Sequence, residues 1–224
     1  MPTICIGLDL SLVSTGISVY ETSSNRYTLY GFAQRVREYG FKYHKGTTSI
    51  ILLPPVPNSP TTTNEERYEH IRHHIVDTIM FPFTDVTDVV VGIEGYAFGA
   101  SSGSSYKLQE LGGVIKHSIW THYPQWEQTI IPPTRWKKTI IGNGRATKVD
   151  VIDYVSTHGP QVPLMDLLGL VVSKNGDIPC PAQDLADAVC IALSIQTVPA
   201  QTTSVQKKHK KRKRDVSVSS KSLL

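Results

Sequence analysis

Three cysteines in 224 residues, none in C-x-x-C spacing, give no basis for a disulfide framework or a zinc knuckle. Cys5, Cys180 and Cys190 are expected to be ordinary buried thiols. No run approaches the ~20 consecutive apolar residues that a membrane span requires, so no membrane association is expected. The opening MPTICIGLDL enters a strand-like run without a charged leader region, which points to an intracellular protein. Internal repeats are absent. A basic body is lacking too: the net charge of +4 rests on KKHKKRKR at 207–214, which holds seven of the 23 Lys and Arg. Without that run the chain is slightly acidic, so any affinity of the body for nucleic acid must be argued from local chemistry.

What is present suits one α/β domain, with 40% apolar residues. Residues 3–9 form a short apolar run ending in Asp9, followed by the turn SLVSTG and β-rich runs at 17–20 and 27–32, which predicts a three-stranded antiparallel meander. Residues 49–53 are a further candidate strand in the otherwise hard-to-read stretch 34–63, and the four prolines of PPVPNSPTTT require a loop. Apolar Ile71, Ile75 and Ile79, after a threonine cap, predict a helix over 64–80. Residues 86–94 form a second apolar run ending in an acid, Glu94, and its β-branched richness predicts a buried parallel strand. After the Gly/Ser-rich segment 95–105, helices are expected at 106–121, 148–158 and 181–196, with a strand at 128–131 stopped by Pro132 and Pro133. The folded domain is expected to span 1–197, and the polar, aperiodic 198–224 to be a disordered basic tail.

The central feature is acidic. Two apolar runs end in Asp9 and Glu94, and the helix at 181–196 carries Asp184 and Asp187 three residues apart, on one face. If the two strands are neighbours, all four carboxylates can converge. Such a set cannot stay ionised without compensating charge, which hard divalent cations supply. Two Mg²⁺ ions about 3.5–4 Å apart would suit hydrolysis of a phosphodiester. A lone aspartate at a strand end is commonly a turn or cap residue. The four in this order say more.

Gly7-Leu8-Asp9-Leu10-Ser11 with Ser14-Thr15-Gly16, then Ile93-Glu94-Gly95-Tyr96 with Phe98, then Asp184-Leu185-Ala186-Asp187-Ala188 resemble the successive motifs of RuvC-like Holliday-junction resolvases, including those of phages and large DNA viruses. The segment 137–148, KKTIIGNGRATK, resembles the family's lysine-bearing region. The resemblance runs from about residue 3 to 196 and implies a ribonuclease H-like mixed sheet of about five strands flanked by helices. It implies Asp9, Glu94, Asp184 and Asp187 as ligands of two Mg²⁺ or Mn²⁺ ions. It further implies Lys148, and secondarily Lys137, beside the scissile phosphate, a homodimer, and paired symmetric nicks in four-way or otherwise branched DNA. Lys137, Lys138, Arg145 and Lys148, near Trp136, suit phosphate contacts. Tyr96 and Phe98 are candidates for contact with an unstacked base, although neither has the family's usual spacing.

Other signals admit plainer readings. His70, His73 and His74 share one expected helix but lack a positioned third ligand type, so a surface role is expected. Gly142-Asn143-Gly144 reads as a turn, since no Walker pattern surrounds it. Gly7-Leu8-Asp9 with Ser14-Thr15-Gly16 also resembles the first phosphate loop of actin-like ATPases and sugar kinases, which need a second domain and a second phosphate motif. A noncatalytic branched-DNA-binding protein that kept the fold is the third reading. The tail is either a nuclear-import signal or a DNA-affinity arm. If it directs import, deleting 207–214 excludes a tagged protein from the nucleus and leaves cleavage in vitro intact; unchanged nuclear retention refutes that role.

Overall fold

A computed structural model describes residues 3–32, 40, 42–95, 103–173 and 177–196. The expected basic tail, Tyr96, Phe98 and most of the Gly/Ser-rich segment lie outside the described residues.

The core is one seven-stranded mixed sheet in the order β4-β5-β3-β2-β1-β6-β7. Strands β1 (Ile4–Asp9), β2 (Gly16–Glu21) and β3 (Arg26–Phe32) form the predicted antiparallel meander. β6 (Val89–Glu94) pairs parallel with β1, and β7 (Glu127–Ile131) parallel with β6. These five strands are the expected core. The other two, β4 (Lys42–Lys45) and β5 (Thr48–Leu53), extend the sheet beyond β3 from the stretch that was hardest to read. Only four residues long, β4 is too short to show alternation convincingly.

Alternation sorts the sheet's two faces. Ile4, Ile6 and Leu8 of β1, Ile17 and Val19 of β2, and Val89, Val91 and Ile93 of β6 pack on one side against α1 (Asn64–Arg72), its π-helical continuation His73–Ile79, and α2 (Gly103–His122). Thr63 caps α1 through a full capping box with Glu66. The single α-helix expected over 64–80 therefore changes winding midway, while Ile71, Ile75 and Ile79 remain buried on its inner face.

The opposite face receives α6 (Ala182–Gln196), which lies across β1, β2 and β6 beneath α4 (Lys148–Thr157) and α3 (Pro133–Ile141). Helix α3 was unexpected. Pro132 and Pro133 end β7 but also open the helix, because a proline's fixed φ and missing N–H suit the first helical turn. Gly142 closes it in the left-handed conformation at φ 84°, so the glycine pair does mark a turn. A one-turn helix, α5 (Leu164–Leu167), was also not anticipated. Among the described residues no helix is long and apolar enough to cross a membrane.

Helix α6 sits unusually close to the sheet because β1 and β2 present glycine beneath it. A methyl group on Gly16 would run into the Asp184 carbonyl, and one on Gly7 into the Ala188 carbonyl. Both obstacles are backbone, which cannot rotate away. Gly16→Ala is therefore expected to destabilise the protein by ~1–3 kcal/mol through overpacking, measured by urea unfolding. Gly113→Ala on α2, where nothing lies within 4 Å, serves as the contrast and should be neutral or stabilising by up to ~1 kcal/mol. Equal, small effects at both positions would contradict the close-packing account.

Candidate active site

Asp9 and Glu94 each stand one residue beyond the paired Leu8 and Ile93, at neighbouring C-terminal ends of two parallel strands. Both belong to the face that carries α6, because Gly7 and Gly92, two residues earlier, meet Ala188 and Ile191 of that helix. Asp184 lies in the first turn of α6 directly over Gly16, the residue paired with Asp9. Asp187 follows nearly one turn later and is buried.

The four acids share one electrostatic environment. Burial pushes the Asp9 carboxyl well above the ordinary carboxylate range, and the charges of Glu94, Asp187 and Asp184 add to it, as does a hydrogen bond with Glu94. Burial, then the Glu94 charge, pushes Asp187 up to about 7, opposed by Lys137 and by a hydrogen bond with Gln183. Asp184 is raised by burial and eased by hydrogen bonds from Ser14 and Cys180 and by the charge of Lys148. Cys5 and Cys190 are the buried thiols expected, whereas Cys180 is half-buried and bonded to this carboxylate. Among the described residues, no three His, Cys, Asp or Glu side chains form a ready-made ion cage. The donor set fits a hard divalent cation by chemistry: four carboxylates close enough to act on one another, with Asp9, Asp184 and Asp187 raised by burial.

Two further groups hold the acids in place. The Ser14 hydroxyl donates to Asp184 Oδ2 at 2.7 Å. Its turn is itself fastened by Thr15 Oγ1, which accepts from the Ser11 amide and donates to the Ser11 carbonyl, and by Arg67, which donates to the Leu12 carbonyl. On the other side, the Trp136 indole donates to Glu94 Oε1 at 3.1 Å. Neither role was assigned from sequence. Ser14 was visible within a motif, but Trp136 required knowledge of α3.

The expected cations occupy different positions. Lys137 is half-buried, donates to the Ala146 carbonyl at 3.0 Å and carries its charge towards Asp187. Lys148 opens α4, exposed, with its field on Asp184. Lys138 and Arg145 are exposed on α3 and on the turn after it. The three histidines lie on the far face of the sheet, where His73 meets Asp77 and His74 meets the His70 carbonyl.

A mixed sheet centred on β3-β2-β1-β6-β7, with an acid-bearing helix laid across β1, is a ribonuclease H-like fold. Its likeness among solved structures is to Holliday-junction resolvases. Thermus thermophilus RuvC in complex with Holliday junction substrate is 18% identical, with 86% of this chain and 91% of that one covered at a TM-score of 0.50. Another T. thermophilus RuvC structure is 20% identical over 85% and 92%, at 0.49. The yeast mitochondrial resolvase Ydc2 is 10% identical over 86% and 78%, at 0.47. The chain thus shares its fold with RuvC. No protein-family model and no curated protein sequence matches it.

The raised carboxyls predict a pH-dependent weakness in metal-free protein. Asp187 would ionise near 3.8 when unfolded and near 7 when folded, so its stabilising contribution is complete below the lower value and drains away as pH rises through the upper one. Relative to Asp187→Asn, wild type should lose a few kcal/mol between about pH 4 and 7, measured by chemical unfolding in chelator. Parallel stability curves for the two proteins would contradict this.

Proposed function

We propose that this protein is a divalent-metal-dependent, structure-selective endodeoxyribonuclease of RuvC-like type, which hydrolyses phosphodiesters in four-way junctions or related branched DNA by paired symmetric nicks. What supports the proposal is that Glu94, Asp187 and Asp184 lie within electrostatic reach of Asp9, with Asp9 and Glu94 at neighbouring ends of β1 and β6, on a fold shared with a RuvC solved in complex with Holliday junction substrate.

Asp9, Glu94, Asp184 and Asp187 would hold two Mg²⁺ or Mn²⁺ ions. When bound, such ions supply a nucleophilic water at neutral pH and neutralise charge on the leaving oxygen. The chain's own residues do the rest. Ser14 and Trp136 orient Asp184 and Glu94, and α3 and α4 pack against α6, which carries two of the acids. Lys148 and Lys137, on the same side as the acids, offset charge building on the scissile phosphate. Lys138 and Arg145 extend this cationic border along the DNA backbone, where each neutralised phosphate strengthens binding. Tyr96 and Phe98 follow Glu94 closely enough to stack on an unpaired base. The protein works as a homodimer through the outward face of α2, where Tyr106 and Trp120 are 67% and 63% exposed, and the basic tail serves nuclear entry or DNA affinity.

The test is nicking of a synthetic four-way junction in Mg²⁺. Asp9→Asn and Glu94→Gln, which keep side-chain volume, should each lower the rate at least ~100-fold, about 2.7 kcal/mol of barrier. Wild-type nicks at symmetric positions mark a resolvase, and scattered products a general branched-DNA nuclease. Cleavage undiminished in either variant rejects the mechanism.

A further inference from the structure

Trp136 sits in the middle of α3 with its side chain fully buried. A buried indole needs an acceptor for its N–H, and the usual solution is a backbone carbonyl, which Trp126 adopts by donating to Val86 at 2.7 Å. Trp136 instead donates to a carboxylate, Glu94 Oε1, at 3.1 Å. This choice has a physical consequence. Glu94 ends a strand beside two acids whose charges bear on it and on each other, Asp9 and Asp187. A hydrogen bond with Asp9 holds Glu94 on one side, and the indole fixes its Oε1 on the other.

The chemistry of the donor matters as much as its position. Arginine or lysine at 136 would neutralise Glu94 and compete with any cation for it. An indole offers a single N–H and no charge, so it fixes orientation while leaving the negative charge unspent. The neighbouring residue complements it: Lys137 lies 5.4 Å from the Trp136 ring centroid with its ammonium tied to the Ala146 carbonyl. Ser14 makes the matching neutral contact with Asp184 on the opposite side, and it too is buried, at 2% exposure.

Resting on the nuclease reading of the same carboxylates, we propose that Trp136 is a positioning residue that holds Glu94 in its ion-binding orientation and thereby sets divalent-cation affinity. Outer partners of ligating carboxylates typically govern 10–100-fold in metal affinity.

The experiment is Mn²⁺ titration of the full-length protein by calorimetry, paired with melting curves with and without Mn²⁺. Trp136→Phe keeps a ring and removes the donor. The expected result is a Kd for Mn²⁺ raised about 10-fold and a smaller Mn²⁺-induced rise in melting temperature. A purely structural role lowers both melting temperatures equally and leaves the Kd within twofold, which overturns the proposal. Should Trp136→Phe fail to fold, 3-benzothienylalanine at position 136, which replaces the N–H by sulfur at nearly equal volume, decides by the same readouts. Wild-type protein that takes up no Mn²⁺ and nicks no junction sinks the nuclease reading and this inference together. Normal wild-type binding with an unaffected variant sinks the positioning role alone.

Discussion

The closeness of α6 to β1 and β2 is the constraint on which the rest depends. Helices usually stand off a sheet by the length of interleaved side chains; here Gly7 and Gly16 remove that layer and let the helix backbone settle onto the strands. Asp184 is thereby lowered onto the residue paired with Asp9, and Asp187 comes within electrostatic reach of Glu94. The approach that gathers the acids also strips water from them, so packing and electrostatics oppose one another at this spot. Hydrogen bonds from Ser14 and Trp136, and the charges of Lys137 and Lys148, relieve part of that opposition.

The two faces of the sheet divide the labour. Beneath it, aliphatic side chains of β1, β2 and β6 interlock with α1, its π-helical continuation and α2, an arrangement concerned with stability. Above it, α6 is apolar on nearly every side yet carries two aspartates in its first turns. A helix buried all round is costly to displace. Its acids are therefore held by the hydrophobic core itself, rather than by a surface loop.

Much of this was legible in the residues. The meander, the parallel strand ending in Glu94 and the helix bearing Asp184 and Asp187 follow from runs and spacings that tertiary context reinforces. The convergence of the acids followed from two strands each ending in a carboxylate, given that the strands are neighbours. What escaped notice has identifiable causes. Pro132 and Pro133 were read as a stop, although a proline pair serves equally to start a helix, so α3 and with it the role of Trp136 went unseen. The stretch before residue 63 is broken by prolines and short polar segments, which hid β4. The close-packing role of Gly7 and Gly16 has no local signature at all, since it depends on Ala188 and Asp184 of a helix far away in sequence.

The sheet grows away from its clustered acids. β4 and β5 are added beyond β3, two strands removed from β1, while the rim formed by β1 and β6 stays central. The flank that carries the additions is thus insulated from the carboxylates by an intervening pair of strands. That outer margin can be lengthened, trimmed or replaced without disturbing the carboxylates, which makes it the natural place for attaching new modules by design.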